Sequence, residues 1–100
     1  MESEQQIEMD EKLLVKVLIN DIIGVREALK DGADASVKDR YGDSALLLSV
    51  YHGYTEIAKL LLDAGADVNA MNIDNRPALF WAEHKGNIEI IKMLKDAGAK

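Results

Sequence analysis

The stretch that decides the fold is Gly53-Tyr-Thr-Glu-Ile-Ala-Lys-Leu-Leu-Leu-Asp-Ala-Gly-Ala-Asp-Val-Asn-Ala70, because much of it recurs 33 residues later. When residues 39–67 are aligned with residues 72–100, 11 of the 29 pairs are identical. Ordinary residue frequencies would give roughly two identities. A fixed period of this length is typical of solenoids, in which similar units stack in a row. We therefore interpret the chain as a repeat protein.

Each unit is predicted to contain two short helices and a turn. In the middle unit, Ser44 precedes an apolar run and is suited to cap the first helix. That helix ends at Gly53, and a second helix from about Thr55 to Ala64 ends at Gly65, since glycine adopts the left-handed conformation that closes a helix. In the first unit, we expect the second helix to run from Asp21, as its cap, to Lys30.

Three units are predicted to form a single domain over residues 1–100. The predicted boundaries are about 6–38 for repeat 1, 39–71 for repeat 2 and 72–100 for repeat 3. One helix pair cannot bury its own apolar face, so about three stacked units are needed for stability. Repeat 1 begins with a polar stretch, and repeat 3 has Lys95 where repeat 2 has Leu62. We therefore expect the outer two units to serve as caps and the chain to be complete.

The composition indicates a soluble, folded protein and excludes several classes of partner. The chain is 48% hydrophobic and 30% charged, and 12 basic residues against 18 acidic ones give a net charge of −6. No cluster of cations is present to bind nucleic acid or an acidic membrane. No apolar run approaches the roughly 20 residues of a membrane span. With no cysteine and no signal peptide, we expect a monomer in the cytoplasm.

No motif in the sequence indicates catalysis or a bound cofactor. His52 and His84 have neither a cysteine nor a further histidine to complete a zinc site, and we interpret them as surface residues. The serines lack the surroundings of a nucleophile. Gly32, Gly65 and Gly98 recur because each ends a helix, and they form no phosphate-binding loop. We therefore expect no enzyme activity, no cofactor and no metal.

The segment Asp39-Arg-Tyr-Gly42-Asp-Ser-Ala-Leu46, followed by residues 53–70, resembles an ankyrin repeat almost from end to end. The resemblance implies an all-α solenoid of three stacked helix–turn–helix units joined by β-hairpin-like loops. The usual Thr-Pro-Leu-His of the family is here Ser44-Ala45-Leu46-Leu47 and Pro77-Ala78-Leu79-Phe80. The histidine that ordinarily bonds between neighbouring turns is therefore missing, and we expect Leu47 and Phe80 to replace that bond with apolar packing.

The resemblance also implies a function, which is to bind another protein on the concave side of the stack. This side comprises the hairpin tips and the exposed side of each first helix. The candidate residues are Arg40, Tyr41, Asp43, Leu48, Tyr51 and His52 in the middle unit and Ile73, Asp74, Arg76, Trp81, His84 and Lys85 in the third. The equivalent positions in the first unit are Val15, Leu18 and Ile19. Helical spacing places Leu48, Tyr51 and His52 on one face of their helix, and Trp81, His84 and Lys85 on one face of theirs. Stacking brings the two faces side by side, where we expect Tyr51 and Trp81 to form an aromatic patch.

Several alternatives stay open from the sequence. Trp81 either belongs to a binding surface or fills space between two units. The stack either binds a partner or associates with itself through an open end, with Leu13, Leu14 and Val17 at one end and Met93 and Leu94 at the other. The partner is an unspecified protein, or an enzyme for which the chain is an inhibitor or targeting subunit. Asn69 resembles the asparagine that animal hydroxylases modify in ankyrin repeats, although a role in local hydrogen bonds of its hairpin is the preferred interpretation.

Overall fold

The computed structural model describes residues 3–100, and within them it contains six α-helices arranged as three pairs. The helices are α1 (Glu4–Leu18), α2 (Ile22–Lys30), α3 (Ala45–His52), α4 (Thr55–Asp63), α5 (Ala78–Lys85) and α6 (Ile88–Asp96). Isolated antiparallel bridges, Lys38 with Ser44 and Met71 with Pro77, close the loops that lead into α3 and α5. The predicted all-α solenoid with hairpin-like loops is confirmed.

The helix ends lie close to where the sequence predicted them. The Ser44 side chain accepts a hydrogen bond from the Leu47 N–H at 3.0 Å, and the Asp21 side chain accepts one from the Gly24 N–H at 2.9 Å. Both residues are therefore the N-caps that the sequence indicated. Gly53 ends α3 with a φ of 74°, in the left-handed region that a glycine enters without strain.

The helices form two layers that share one apolar core. The inner helix α3 packs against both α1 and α5, and the outer helix α4 packs against both α2 and α6. Each layer supplies side chains that are no more than 1% exposed, and the largest of them are Leu13, Leu46, Ile57, Leu61, Ile90 and Leu94. The middle unit is thus covered on both sides, as stacking of neighbouring units requires.

Burial at the ends of the stack bears on the alternative of self-association. Of the five apolar residues named for the open ends, Leu13, Val17 and Leu94 have no exposed surface, and Leu14 and Met93 are partly buried. They face the helices of their own stack, because α1 and α6 turn their apolar sides inward to complete the shared core. An association through the ends of the stack could not use these three side chains.

The loops that follow the outer helices each donate one hydrogen bond from an equivalent backbone position. The backbone N–H groups of Asp34, Asp67 and Lys100 are spaced 33 residues apart, and each donates to a side-chain oxygen from an earlier part of the chain. The acceptors are Asp10 Oδ1 at 2.8 Å, Ser36 Oγ at 2.9 Å and Asn69 Oδ1 at 3.2 Å, respectively. The first of these bonds ties α1 to the loop of its own unit, whereas the other two join neighbouring units, which are therefore connected by polar contacts as well as by the apolar core.

The side chain of Asn69 has a different role from the predicted one. Its backbone N–H makes a local bond to Asp67 Oδ1 at 3.0 Å, as expected of a hairpin residue. The side chain, however, reaches the following loop, where Nδ2 donates to the Gly98 carbonyl at 3.3 Å and Oδ1 accepts from the Lys100 N–H. Stacking places the two loops side by side, and so the amide links units rather than stabilising its own hairpin.

Candidate functional site

Two hairpin tips stand beside the N-terminal ends of α3 and α5, and side-chain oxygens hold them in the same way. In each tip, one side-chain oxygen accepts hydrogen bonds from two backbone N–H groups at 2.9 to 3.1 Å. Asp39 Oδ1 accepts from Tyr41 and Asp43, and Asn72 Oδ1 accepts from Asp74 and Arg76. Gly42 and Asn75 complete the turns with φ values of 83° and 59°. Glycine and asparagine both tolerate a positive φ, and the side-chain oxygens hold both tips in shape.

An aromatic cluster lies on the inner helices below these tips. The rings of Tyr51 and Trp81 are perpendicular, with centroids 5.3 Å apart and an interplanar angle of 82°. Phe80 meets Trp81 in a similar arrangement at 5.2 Å. Tyr51 is 41% exposed, whereas Trp81 is half-buried and packs against the core. Trp81 therefore fills space between units and keeps part of its surface exposed.

A groove of about 340 Å³ lies between the hairpin tips and the inner helices. Eight of the twelve predicted site residues line it, and these are Tyr41, Asp43, Leu48, Tyr51, His52, Ile73, Asp74 and Trp81. Leu47 and Asn72 also line the groove, but the sequence did not point to them. Leu47 occupies the place of the missing histidine, and this departure was the available signal that its environment differs.

The other four predicted residues surround the groove without lining it. The Arg76 guanidinium lies 4.3 Å from the centre of the Phe80 ring, and Lys85 Nζ lies 4.2 Å from the centre of the Tyr51 ring. These distances are within the range of cation–π contacts. His84 stacks on Phe80 with ring centroids 6.1 Å apart, and Arg40 is exposed on its hairpin.

The inner surface continues onto the first unit. Val15 and Leu18 of α1 and Ile19, which caps that helix, are all exposed, and they occupy the positions that correspond to Leu48, Tyr51 and His52 of α3. Because α1 packs beside α3, this aliphatic strip lies next to the aromatic cluster. The concave surface, defined here as the groove together with this strip, changes from aliphatic at α1 to aromatic at α3 and α5.

Carboxylates concentrate at the hairpin side of the groove. Partial burial raises the pKa of Asp43 above its usual value, and the nearby carboxylates of Asp39 and Asp74 raise this pKa further, while the Asn72 side chain opposes the shift. Within residues 3–100, the single ion pair joins Lys16 to Asp21 at 3.6 Å, on the first unit. The three carboxylates beside the groove therefore lack a paired cation in this part of the chain.

The histidines and carboxylates of the described residues are not gathered together at one point. Across the residues that the structure describes, no three His, Asp or Glu side chains converge into a group able to hold a metal ion. His52 stacks on Tyr54 and His84 on Phe80, so the two histidines do not face each other. None of the helices in residues 3–100 combines the length and apolar character that crossing a bilayer requires.

Comparison with known sequences places the chain in a family. A family model for ankyrin repeats in three copies matches residues 8–100. This chain belongs to the ankyrin repeat family. No curated protein sequence matches it significantly. Ankyrin repeats are generic protein–protein interaction modules, and the family is typically non-catalytic.

As an ankyrin repeat protein, the chain departs from its family at the histidine of the usual tetrapeptide. Leu47 replaces this residue in the middle unit and is only 5% exposed, in line with the apolar packing that we predicted. Phe80 replaces it in the third unit, where it is half-buried beneath the Arg76 guanidinium. A bond between neighbouring hairpins comes instead from Lys38, whose Nζ donates to the Met71 carbonyl at 2.9 Å.

Proposed function

We propose that the chain is a non-enzymatic binding module that docks a partner protein on its concave surface. The observation that supports this proposal best is the groove, with the perpendicular rings of Tyr51 and Trp81 in its wall. Tyrosine and tryptophan contribute a large share of the binding energy in protein interfaces, because they bury much area at a low cost in conformational entropy. An inhibitor or targeting subunit of an enzyme would use the same surface.

The rigidity of the surface favours docking without rearrangement. Side-chain oxygens of Asp39 and Asn72 hold the two hairpin tips, and packing against the core holds Trp81. A surface that is already in its binding conformation loses little entropy when the partner binds. We place this function in the cytoplasm, since a chain without cysteine is suited to a reducing compartment. We also assign it to a monomer.

The proposal is tested by affinity capture with matched variants. Wild type, Tyr51→Ala, Trp81→Ala and the control Ile88→Ala are immobilised, and proteins captured from an extract of the source cell are quantified by mass spectrometry. Ile88 is a suitable control because it is an exposed apolar residue on the outer layer. Urea unfolding of each variant confirms that it is folded.

We expect at least one protein to be captured by wild type and by Ile88→Ala but reduced at least fivefold on both aromatic variants. Loss of an interface anchor typically weakens binding by this amount or more. If folded Tyr51→Ala and Trp81→Ala capture the same proteins as wild type in the same amounts, the concave surface is not the binding site.

A further inference from the structure

The groove has two sides of different chemistry. Its floor and its helix side are apolar and aromatic, with Leu47, Leu48 and Tyr51 among the lining residues. Its hairpin side carries Asp43 and Asp74, and Asp39 lies close enough to raise the pKa of Asp43. An occupant that fits both sides must have an apolar stem and a positively charged end.

Nearby cations do not neutralise the hairpin side. Arg76 is held over the Phe80 ring, and Lys85 is held over the Tyr51 ring at the C-terminal end of the inner helices. Arg40 is exposed on the same hairpin as Asp43, and none of these three cations forms an ion pair with Asp43 or Asp74 among the described residues. Repulsion between the carboxylates therefore persists in the free protein, and a cation supplied from outside would relieve it.

We propose that the groove receives an arginine or lysine side chain from the partner protein. This proposal rests on the concave binding proposed above and names the chemistry that the concave surface recognises. The aliphatic stem lies along Leu48 and Tyr51, and the charged end lies between Asp43 and Asp74. Long cationic side chains bury their stems on apolar surfaces while their charged ends meet water or carboxylates.

Two further features favour a cationic occupant. Tyr41 is 67% exposed at the hairpin tip that borders the groove, so its ring face is free to contact an ammonium or guanidinium group. The chain as a whole carries a net charge of −6, which attracts basic partners over the distance of a Debye length and raises their association rate.

The test is selection of peptides from a displayed random library on the immobilised protein. Peptides are first sorted by whether they still bind the Tyr51→Ala variant, which identifies those that use the concave surface. Their affinities are then measured on wild type and on the double variant Asp43→Asn/Asp74→Asn. The matched control is Asp31→Asn/Asp96→Asn, because it makes the same change in net charge at exposed carboxylates outside the groove.

We expect the Tyr51-dependent peptides to be enriched in arginine or lysine at one position. The groove double variant should weaken them by roughly five- to 25-fold, which corresponds to about fivefold for each partly exposed charge pair, while the control variant weakens them less than twofold. Replacing the selected arginine with citrulline, or the selected lysine with norleucine, removes the charge and nearly preserves the length. This change should weaken binding to wild type but have little further effect on the groove double variant.

Failure of the cationic occupant and failure of concave binding would give different results in this experiment. Peptides that need Tyr51 but are neutral or acidic, or that bind the groove double variant as well as wild type, would overturn the cationic occupant and leave concave binding intact. Recovery of no peptide that depends on Tyr51 or Trp81 would count against concave binding itself, and the cationic occupant would fall with it.

Discussion

Asp10 provides a direct test of how the first helix is joined to the stack. Its side chain is 5% exposed, and Oδ1 accepts hydrogen bonds at 2.8 Å from the Asp34 backbone N–H and from Gln6 Nε2. The change Asp10→Ala removes this acceptor, whereas Asp10→Asn retains an oxygen of similar position and removes only the charge. Comparing the two variants therefore separates the hydrogen bonds from the charge that strengthens them.

The size of the effect follows from the two bonds. Each hydrogen bond to a charged group contributes about 1.5 kcal/mol at the lower end of its range, so the loss of both costs about 3 kcal/mol. Alanine recovers about 0.7 kcal/mol, because it favours a helix interior more than aspartate does. Asp10→Ala should therefore lower the free energy of unfolding by about 2 kcal/mol. Asp10→Asn should lower it by about 1.5 kcal/mol, since neutral hydrogen bonds are about half as strong and asparagine has about the same helix propensity as aspartate.

Urea unfolding followed by circular dichroism measures both values, and thermal unfolding checks them. For a chain of this size, about 2 kcal/mol corresponds to a fall of roughly 8–16 °C in Tm. Glu11→Ala is the matched control, because Glu11 is an exposed acidic neighbour on the same helix, and its stability should change by less than about 0.5 kcal/mol. If Asp10→Ala is as stable as wild type, or if Asp10→Asn loses as much as Asp10→Ala, the proposed role of Oδ1 is wrong.

Four further outcomes are expected. Because folding raises the pKa of Asp43, the stabilising contribution of this side chain is present at low pH and is lost as the pH rises through that pKa. The free energy of unfolding of Asp43→Asn should therefore exceed that of wild type by less than about 1 kcal/mol at pH 7 and equal it at about pH 3. A constant difference over that range would contradict this reasoning. Gly53→Ala should cost about 1 kcal/mol in urea unfolding, since φ is 74° and an added Cβ meets no atom within 4 Å, which leaves backbone strain as the cause. Leu61→Ala, at a position without exposed surface, should cost about 2–5 kcal/mol by the same measurement, and a cost below 1 kcal/mol would place Leu61 outside the core. Trp81→Phe should cost less than about 1.5 kcal/mol in thermal unfolding, because the buried indole N–H has no acceptor among the described residues and no hydrogen bond is lost.

The repeat made most of the fold predictable. Identical residues 33 positions apart, such as Leu61 and Leu94, are fully buried on equivalent helices, so the sequence period reflects the core. The attachment of α1 was not predictable in the same way. It depends on Asp10 contacting the loop at Asp34, and this pair lies outside the 33-residue register, in the unit whose sequence matches the repeat least.

The sequence predicted which residues share the candidate site but not the contacts that their side chains make. The resemblance to ankyrin repeats, carried over through the repeat register, implied that Asp43, Tyr51 and Trp81 share one surface, and the structure gathers them around one groove. The repeat register does not predict which groups the end of a long side chain contacts. Lys85 turns onto the Tyr51 ring instead of lining the groove, because the spacing of helix positions fixes where a side chain begins and leaves open where its flexible end lies.

The hydrogen bonds between successive loops have a consequence for chain length. Each uses one backbone N–H and one side-chain oxygen at a spacing equal to the repeat, and the middle unit supplies an N–H through Asp67 and an oxygen through Asn69. A second copy of residues 39–71 inserted after the first would therefore find the same partners before and behind it. It would also supply another Tyr51 beside another hairpin tip. Duplication of a single segment would thus add a second groove one unit away from the first, with Leu48 of the inserted copy in the place that Trp81 occupies in the original groove.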